Sequence, residues 1–196
     1  MARSTGIAVV VLIGATVATL CDANHVRTGT ISYRDPWLFG QAWWVFPEFI
    51  LTFLAMVAGY ILLASRVSRA MPTQRSQSAG SVRPFVESLV LFACLYLISG
   101  FASREPVFLC WIFYATFLAR WIVSYERAWL LLLALLMGIG GMVGEGLVGA
   151  TGLAAYRHTD VFHAPLWLAG LYMHGALALR ESMRCFVYGS SNGPRS

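Results

Sequence analysis

The chain has 196 residues, of which 58% are hydrophobic and only 12% are charged, and its mean hydropathy is +0.67. This composition excludes an ordinary soluble globule and indicates a polytopic membrane protein. The net charge of +5 comes from 14 arginines without a lysine, and because these arginines lie mostly at the ends of apolar runs, the basic balance does not indicate a nucleic-acid partner.

Six apolar runs follow one another along the chain. A helix needs about 20 predominantly apolar residues to cross the ~30 Å hydrocarbon core of a bilayer. The sequence therefore predicts an all-α polytopic membrane protein with six transmembrane helices and short loops, in a single domain over residues 1–196. The predicted spans are residues 6–21, 43–64, 85–103, 107–123, 128–150 and 164–180.

The first run could also be a signal peptide. Leu20, before Cys21, is too large for a lipoprotein-type cleavage site, and no Ala-x-Ala sequence stands close by before the charged loop. We therefore interpret the run as a short first span.

The arginines are distributed unevenly between the two sides of the predicted bundle. With both termini in the cytoplasm, ten arginines fall in cytoplasmic segments and four in outer segments. Because cytoplasmic loops of membrane proteins carry an excess of basic residues, this pattern predicts that the N- and C-termini are cytoplasmic.

The fifth predicted span is rich in glycine and contains one carboxylate. Gly138, Gly141 and Gly144 recur at every third residue, and Glu145 follows them. A stripe of small residues lets another helix approach closely, since helix association in lipid depends on packing. Alternatively, this half of the span borders a cavity. Glu145 favours the cavity, because an ionisable group in a membrane segment is costly and seldom faces lipid.

Two carboxylates, Glu48 and Glu145, lie at a similar depth below the predicted outer surface. The outer loops above them contain further potential ligands, namely His25, His158, Asp160 and His163. Such a group of side chains can bind metal or move protons. Alternatively, each glutamate accepts a hydrogen bond from a hydroxyl or a tryptophan N–H, and the histidines are ordinary loop residues. His158 and His163 lack a helical i,i+4 spacing, so we predict no metal site.

His174 lies near the middle of the sixth predicted span. It is either a neutral imidazole bonded to a neighbouring helix or a hydrogen-bond donor to the head group of a ligand. The sequence shows no nucleophile with an adjacent base and no nucleotide-binding loop, so we predict no catalytic residue and no enzymatic activity. The alternative is a small intramembrane enzyme or transporter that uses Glu48, Glu145 and His174.

Three short motifs resemble the Insig family, the endoplasmic-reticulum membrane proteins of sterol control. Gln-Ala-Trp-Trp-Val-Phe-Pro at 41–47 resembles the Ala-Trp-Trp-Val-Pro-Pro sequence at the entrance of the family's second span, except at Phe46. Ser-Tyr-Glu-Arg at 124–127 resembles Thr-Phe-Asp-Arg in the family's cytosolic turn between spans four and five. The third motif precedes the last span and comprises Tyr156, Asp160, Phe162, Trp167 and Leu168.

The resemblance implies a lipid-binding sensor or adaptor with a pocket between helices. A sterol-contacting phenylalanine of the family falls on Phe92, and a glutamine and a threonine near its oxysterol fall on Leu109 and Phe113. The family's aspartate for partner regulation falls on Glu126, so we expect Glu126 and Arg127 to bind a protein partner, whose identity the sequence does not give. The predicted pocket consists of Phe92, Leu109, Phe113, His174, Gly141 and Gly144.

Such an apolar pocket predicts an uncharged occupant, because a buried charge would carry a large desolvation penalty. We expect a diacylglycerol-like or sterol-like lipid and no other cofactor. The all-arginine basic set and the short termini indicate a bacterial homologue in the inner membrane. We further predict a homo-oligomer, with a trimer as the working guess.

Overall fold

The computed structural model describes residues 3–189, which form a bundle of six helices and a short two-stranded ribbon. The helices are α1 (Arg3–Arg27), α2 (Val45–Val67), α3 (Val82–Phe101), α4 (Pro106–Ile122), α5 (Arg127–Ala150) and α6 (Trp167–Ser182), and α6 continues as a π-helical segment (Met183–Tyr188). The strands are β1 (Ile31–Tyr33) and β2 (Ala154–Tyr156). This architecture confirms the predicted all-α membrane fold, to which the ribbon adds six residues in strands that the sequence did not predict.

Four of the helices, α1, α2, α3 and α5, are long and apolar enough to cross a membrane by length and composition, and α4 is a shorter apolar helix. Helix α6 is the most enclosed, and it packs against α3, α4 and α5. Helix α1 packs against α2, α3 and the π-helical segment. Two apolar cores result, one near each end of the bundle.

The ribbon links two distant connections of the chain. Strand β1 follows α1, strand β2 follows α5, and they pair antiparallel with Ile31 opposite Tyr156. We call this side of the bundle the ribbon end. The opposite side contains the α2–α3 and α4–α5 connections and the C-terminus of α6, and we call it the arginine-rich end.

Helix α1 extends to Arg27, beyond the predicted boundary at residue 21. His25, which we placed in an outer loop, is therefore a fully buried helical residue whose Nε2 lies 2.8 Å from the Ser99 hydroxyl. The prediction failed because the polar residues of this last segment find partners from other elements. The Asp22 carboxylate accepts hydrogen bonds from Tyr33 (2.7 Å) and Gln41 (2.8 Å).

An ionic cluster around the buried Glu181 closes the arginine-rich end. The Glu181 carboxylate accepts hydrogen bonds from Tyr125 Oη (2.6 Å), Arg180 Nε (3.0 Å) and Arg184 Nη1 (2.9 Å). The guanidinium groups of Arg75 and Arg180 each lie 4.0 Å from the centre of the Tyr125 ring. Burial raises the pKa of Tyr125 to about 12, so its hydroxyl remains protonated and donates to Glu181. We call these five residues the Glu181 cluster.

The turn before α5 also holds the α2–α3 connection. Glu126 has a left-handed backbone (φ +47°), and its carboxylate accepts hydrogen bonds from the N–H groups of Arg75 (2.8 Å) and Ser76 (2.9 Å) and from the Ser76 hydroxyl. Arg127, by contrast, is exposed. The predicted partner-binding pair therefore contains one residue that is already bonded within the chain and one that faces outward.

Candidate functional site

A cavity of about 340 Å³ lies between α2 and α5. Residues of α2 and α5 form its walls, Tyr172 and Leu179 of α6 form its floor, and the ribbon residues Ile31, Tyr33 and Ala154 close one end. A volume of a few hundred cubic ångströms is typical of ligand pockets. We call this space the α2/α5 cavity.

Glycines create much of the space in the α2/α5 cavity. At Gly59, Gly140 and Gly144, an added Cβ would have no described atom within 4 Å outside the immediate helix backbone, and all three residues line the cavity. Gly141 lines it too, but a Cβ there would overlap the ring of Tyr172. Both alternatives for the glycine stripe therefore apply, with Gly141 used for packing and Gly144 bordering a cavity.

The two carboxyl groups of the α2/α5 cavity lie at its ribbon end. Glu48 and Glu145 project from α2 and α5 into the same space, and Oε1 of Glu145 accepts a hydrogen bond from the Tyr172 hydroxyl (2.9 Å). Burial, followed by the negative charge of Asp22, raises the pKa of Tyr33 well above its ordinary value. Tyr33 is thus a protonated donor at this end.

A second, narrower cavity of about 70 Å³ lies on the other side of these walls, among α1, α2, α3 and α6. Phe92 lines it, as do several residues that also line the α2/α5 cavity, including Phe49, Met56 and Tyr172. The two spaces are therefore neighbours. Phe92 lines this narrower cavity and not the one that contains the two glutamates.

Leu109, Phe113 and His174 line neither cavity. All three side chains are fully buried where α4 packs against α6. Nη1 of Arg120 lies 3.1 Å from Nδ1 of His174, and because a guanidinium only donates, Nδ1 must accept. The other nitrogen, Nε2, then carries the proton and donates to the Phe113 carbonyl at 3.0 Å. His174 is thus a neutral imidazole that bonds α6 to α4, the first of the two alternatives.

The loop residues before α6 have a local structural role. The Asp160 carboxylate accepts a hydrogen bond from the Leu166 N–H (2.8 Å) and lies 2.8 Å from His158 Nε2. The backbone bond, followed by His158, holds the pKa of Asp160 below its ordinary value. Among residues 3–189, no group of three or more His, Cys, Asp or Glu side chains could hold a metal ion.

Gly59, Tyr33 and Tyr172 are among the cavity residues that were not predicted from the sequence. Gly59 is the only glycine of α2, and a single glycine among bulky residues was a signal that this position faces a space or a close neighbour. Tyr172 lies two residues before His174 in the same span, so a search for polar side chains in that span would have found it. Tyr33 had no comparable signal, because the ribbon that positions it was not predictable.

Comparison with known proteins finds the same fold in two crystal structures. One is a mycobacterial Insig homologue, MvINS from Mycobacterium vanbaalenii, with a TM-score of 0.73 and 17% identity over 98% of this chain and 97% of that chain. The other is a cross-linked trimer of an MvINS point variant, with a TM-score of 0.72, 16% identity and the same coverage. No protein-family model and no curated protein sequence matches the chain. This protein has the fold of an Insig homologue, as its sequence motifs predicted.

Proposed function

We propose that this chain is an Insig-like sensor or adaptor of the bacterial inner membrane that holds an uncharged lipid in the α2/α5 cavity, without a catalytic step. The observation that carries the proposal is a largely apolar cavity of about 340 Å³ between two helices of a membrane-embedded bundle, with its two carboxyl groups at one end. Cavities of this kind orient a ligand by its head group and bury the remainder among apolar side chains.

The composition of the walls supports a diacylglycerol-like or sterol-like ligand. Away from the ribbon end, the cavity is bordered by apolar side chains and glycines, such as Met56, Leu133 and Leu136. An acyl chain or ring system replaces lipid contacts there at little cost, whereas a charged head group placed among them would lose its hydration.

A homo-oligomer is also part of the proposal, and the cross-linked trimer of the MvINS variant supports it. Glu126 is already bonded to the α2–α3 connection. A protein partner that binds the α4–α5 turn would therefore contact the exposed side chain of Arg127. We propose this turn as the partner-binding surface.

The two carboxylates in one cavity favour a second candidate, a small intramembrane transporter or enzyme. His174 was the third member of that set, but it is bonded to Arg120 and Phe113 away from the cavity. If the protein is a transporter, we expect solute flux across proteoliposome membranes that depends on pH or ions and is lost in Glu48→Gln. A lipid sensor predicts no such flux.

The arginine asymmetry supports an orientation with the arginine-rich end in the cytoplasm. In a background without the four native cysteines, we expect Thr159→Cys at the ribbon end to react with a membrane-impermeant maleimide in intact cells. Gln74→Cys, in the α2–α3 connection, should react only after lysis. Both positions are exposed. Labelling of Gln74→Cys in intact cells would reverse the proposed orientation.

Mass spectrometry of an organic extract tests the lipid proposal. Protein purified in mild detergent is expected to retain a stoichiometric amount of a neutral lipid, because the apolar walls of the cavity bind its hydrocarbon part. Recovery of only bulk phospholipid, in the proportions of the host membrane, would contradict a specific ligand.

A further inference from the structure

An open recess of about 520 Å³ lies at the ribbon end, beside the turn between α3 and α4. It is lined by Ser103, Arg104, Pro106, Arg157 and His158, and it shares no lining residue with the two cavities described above. We propose that this recess binds the phosphate group of an anionic phospholipid, such as phosphatidylglycerol. We call it the α3/α4 recess. The inference goes beyond the proposed function, because it concerns a membrane lipid that lies against the outside of the bundle.

The fold holds the guanidinium group of Arg157 in a fixed position. Nη2 donates a hydrogen bond to the Thr28 carbonyl (3.0 Å), and Nη1 donates to the hydroxyl of the buried Ser103 (3.4 Å). A Cβ at Gly29 would lie only 2.5 Å from Nη2, so the guanidinium occupies space that this glycine leaves. A side chain that is fixed in advance loses less conformational entropy when a ligand binds. Arg157 is thus a preorganised cation in the wall of the recess.

The positive charge of the α3/α4 recess has no compensating carboxylate. In the described part of the chain, neither Arg104 nor Arg157 forms an ion pair. Asp160 does not line the recess, and its carboxylate is bonded to His158. Glu105 is exposed and does not line the recess either. Two guanidinium groups without a carboxylate are suited to a phosphate, whose oxygens accept hydrogen bonds from the planar fork of arginine.

The recess lies where the lipid-facing surface of α3 and α4 ends. Phe101, Phe108 and Trp111 are largely exposed beside it. In a membrane-embedded bundle such side chains face acyl chains, and tryptophan is enriched where the hydrocarbon meets the head groups. Pro106 is the first residue of α4, so the positive end of the helix dipole adds to the charge of the recess. A phospholipid with its phosphate in the recess would extend its acyl chains along these aromatic side chains.

The same charges favour an anionic head group over a zwitterionic one. Phosphatidylethanolamine has an ammonium group next to its phosphate, and two guanidinium groups would repel it. Phosphatidylglycerol has the same phosphate with hydroxyl groups instead, so the two lipids differ in the charge that the recess would recognise. From the usual attraction between a basic side chain and an anionic lipid at a membrane surface, two arginines give a preference of roughly ten- to thirtyfold.

Native mass spectrometry of the purified full-length protein tests the proposal. Because the recess is open, its lipid exchanges, so phosphatidylglycerol and phosphatidylethanolamine with identical acyl chains are added and their affinities are compared. We expect the wild type to prefer phosphatidylglycerol roughly tenfold or more, and Arg104→Gln/Arg157→Gln to lose most of this preference. Arg104→Gln alone should lose part of it and fold normally, since the Arg104 side chain makes no hydrogen bond to another described residue.

Arg27→Gln/Arg34→Gln is the matched control. Both arginines are exposed at the ribbon end and lie outside the recess, so this variant removes the same charge and should keep the preference for phosphatidylglycerol. An equal loss of preference in the two double variants would show a general attraction to the basic surface and would overturn the site. An unchanged preference in folded Arg104→Gln/Arg157→Gln, or no preference in the wild type, would overturn it too. If glycerol 3-phosphate bound as tightly as phosphatidylglycerol, the ligand would be a soluble anion and the lipid assignment would be wrong.

Discussion

Replacement of Glu181 with alanine is expected to lower the free energy of unfolding by about 3–5 kcal/mol, because removal of one partner leaves buried charges uncompensated. Both arginines that bond to Glu181 are largely buried, with side chains 4% exposed at Arg180 and 11% at Arg184. The Tyr125 hydroxyl would lose its acceptor as well. Denaturant-induced unfolding of the detergent-solubilised protein measures the effect.

A matched control is the ion pair between Arg83 and Glu87, whose side chains are 88% and 60% exposed. Exposed pairs are screened by water and contribute little, so Glu87→Ala should unfold like the wild type. Equal stability of Glu181→Ala and Glu87→Ala would show that the Glu181 cluster does not hold the arginine-rich end together.

The second large effect is a contrast between neighbouring glycines. Gly141→Leu is expected to destabilise the fold by about 1–3 kcal/mol, because the new side chain must displace the Tyr172 ring. Gly144→Leu should be neutral or slightly stabilising. The cavity accommodates the side chain, and leucine is favoured over glycine in a helix interior by roughly 0.8 kcal/mol. The two variants are compared by their thermal unfolding in the same detergent. Equal losses of stability would contradict the assignment of Gly141 to packing and Gly144 to the cavity.

Much of the fold was predictable because hydrophobic length is a strong signal in membrane proteins. The apolar runs located the helices, and the motif resemblance pointed to the fold that the comparison with MvINS finds. The predicted C-terminal boundary of α1 was wrong for a physical reason. Asp22 and His25 look like loop residues until their partners are known, and those partners, Gln41 and Ser99, lie 19 and 74 residues away in the sequence.

The candidate site was predictable only in part. The glycine spacing identified the half of α5 that borders the cavity. The sequence does not show, however, that Gly141 faces Tyr172 while Gly144 faces the cavity. His174 shows the same limit. A polar residue in the middle of a span indicates a buried partner, but the sequence does not show that the donating nitrogen, Nε2, already bonds to the Phe113 carbonyl, 61 residues earlier.

The measurement that tests the central claim most directly is the ratio of neutral lipid to protein in purified wild type and Gly144→Leu. Val143→Leu is the control, since Val143 is half-exposed on the same helix and does not line the cavity. If a lipid occupies the α2/α5 cavity, the wild type and Val143→Leu will retain it in stoichiometric amounts, and Gly144→Leu will lose most of it while keeping its thermal stability. Retention of the wild-type amount of neutral lipid by a folded Gly144→Leu variant would contradict the claim that this cavity is the binding site.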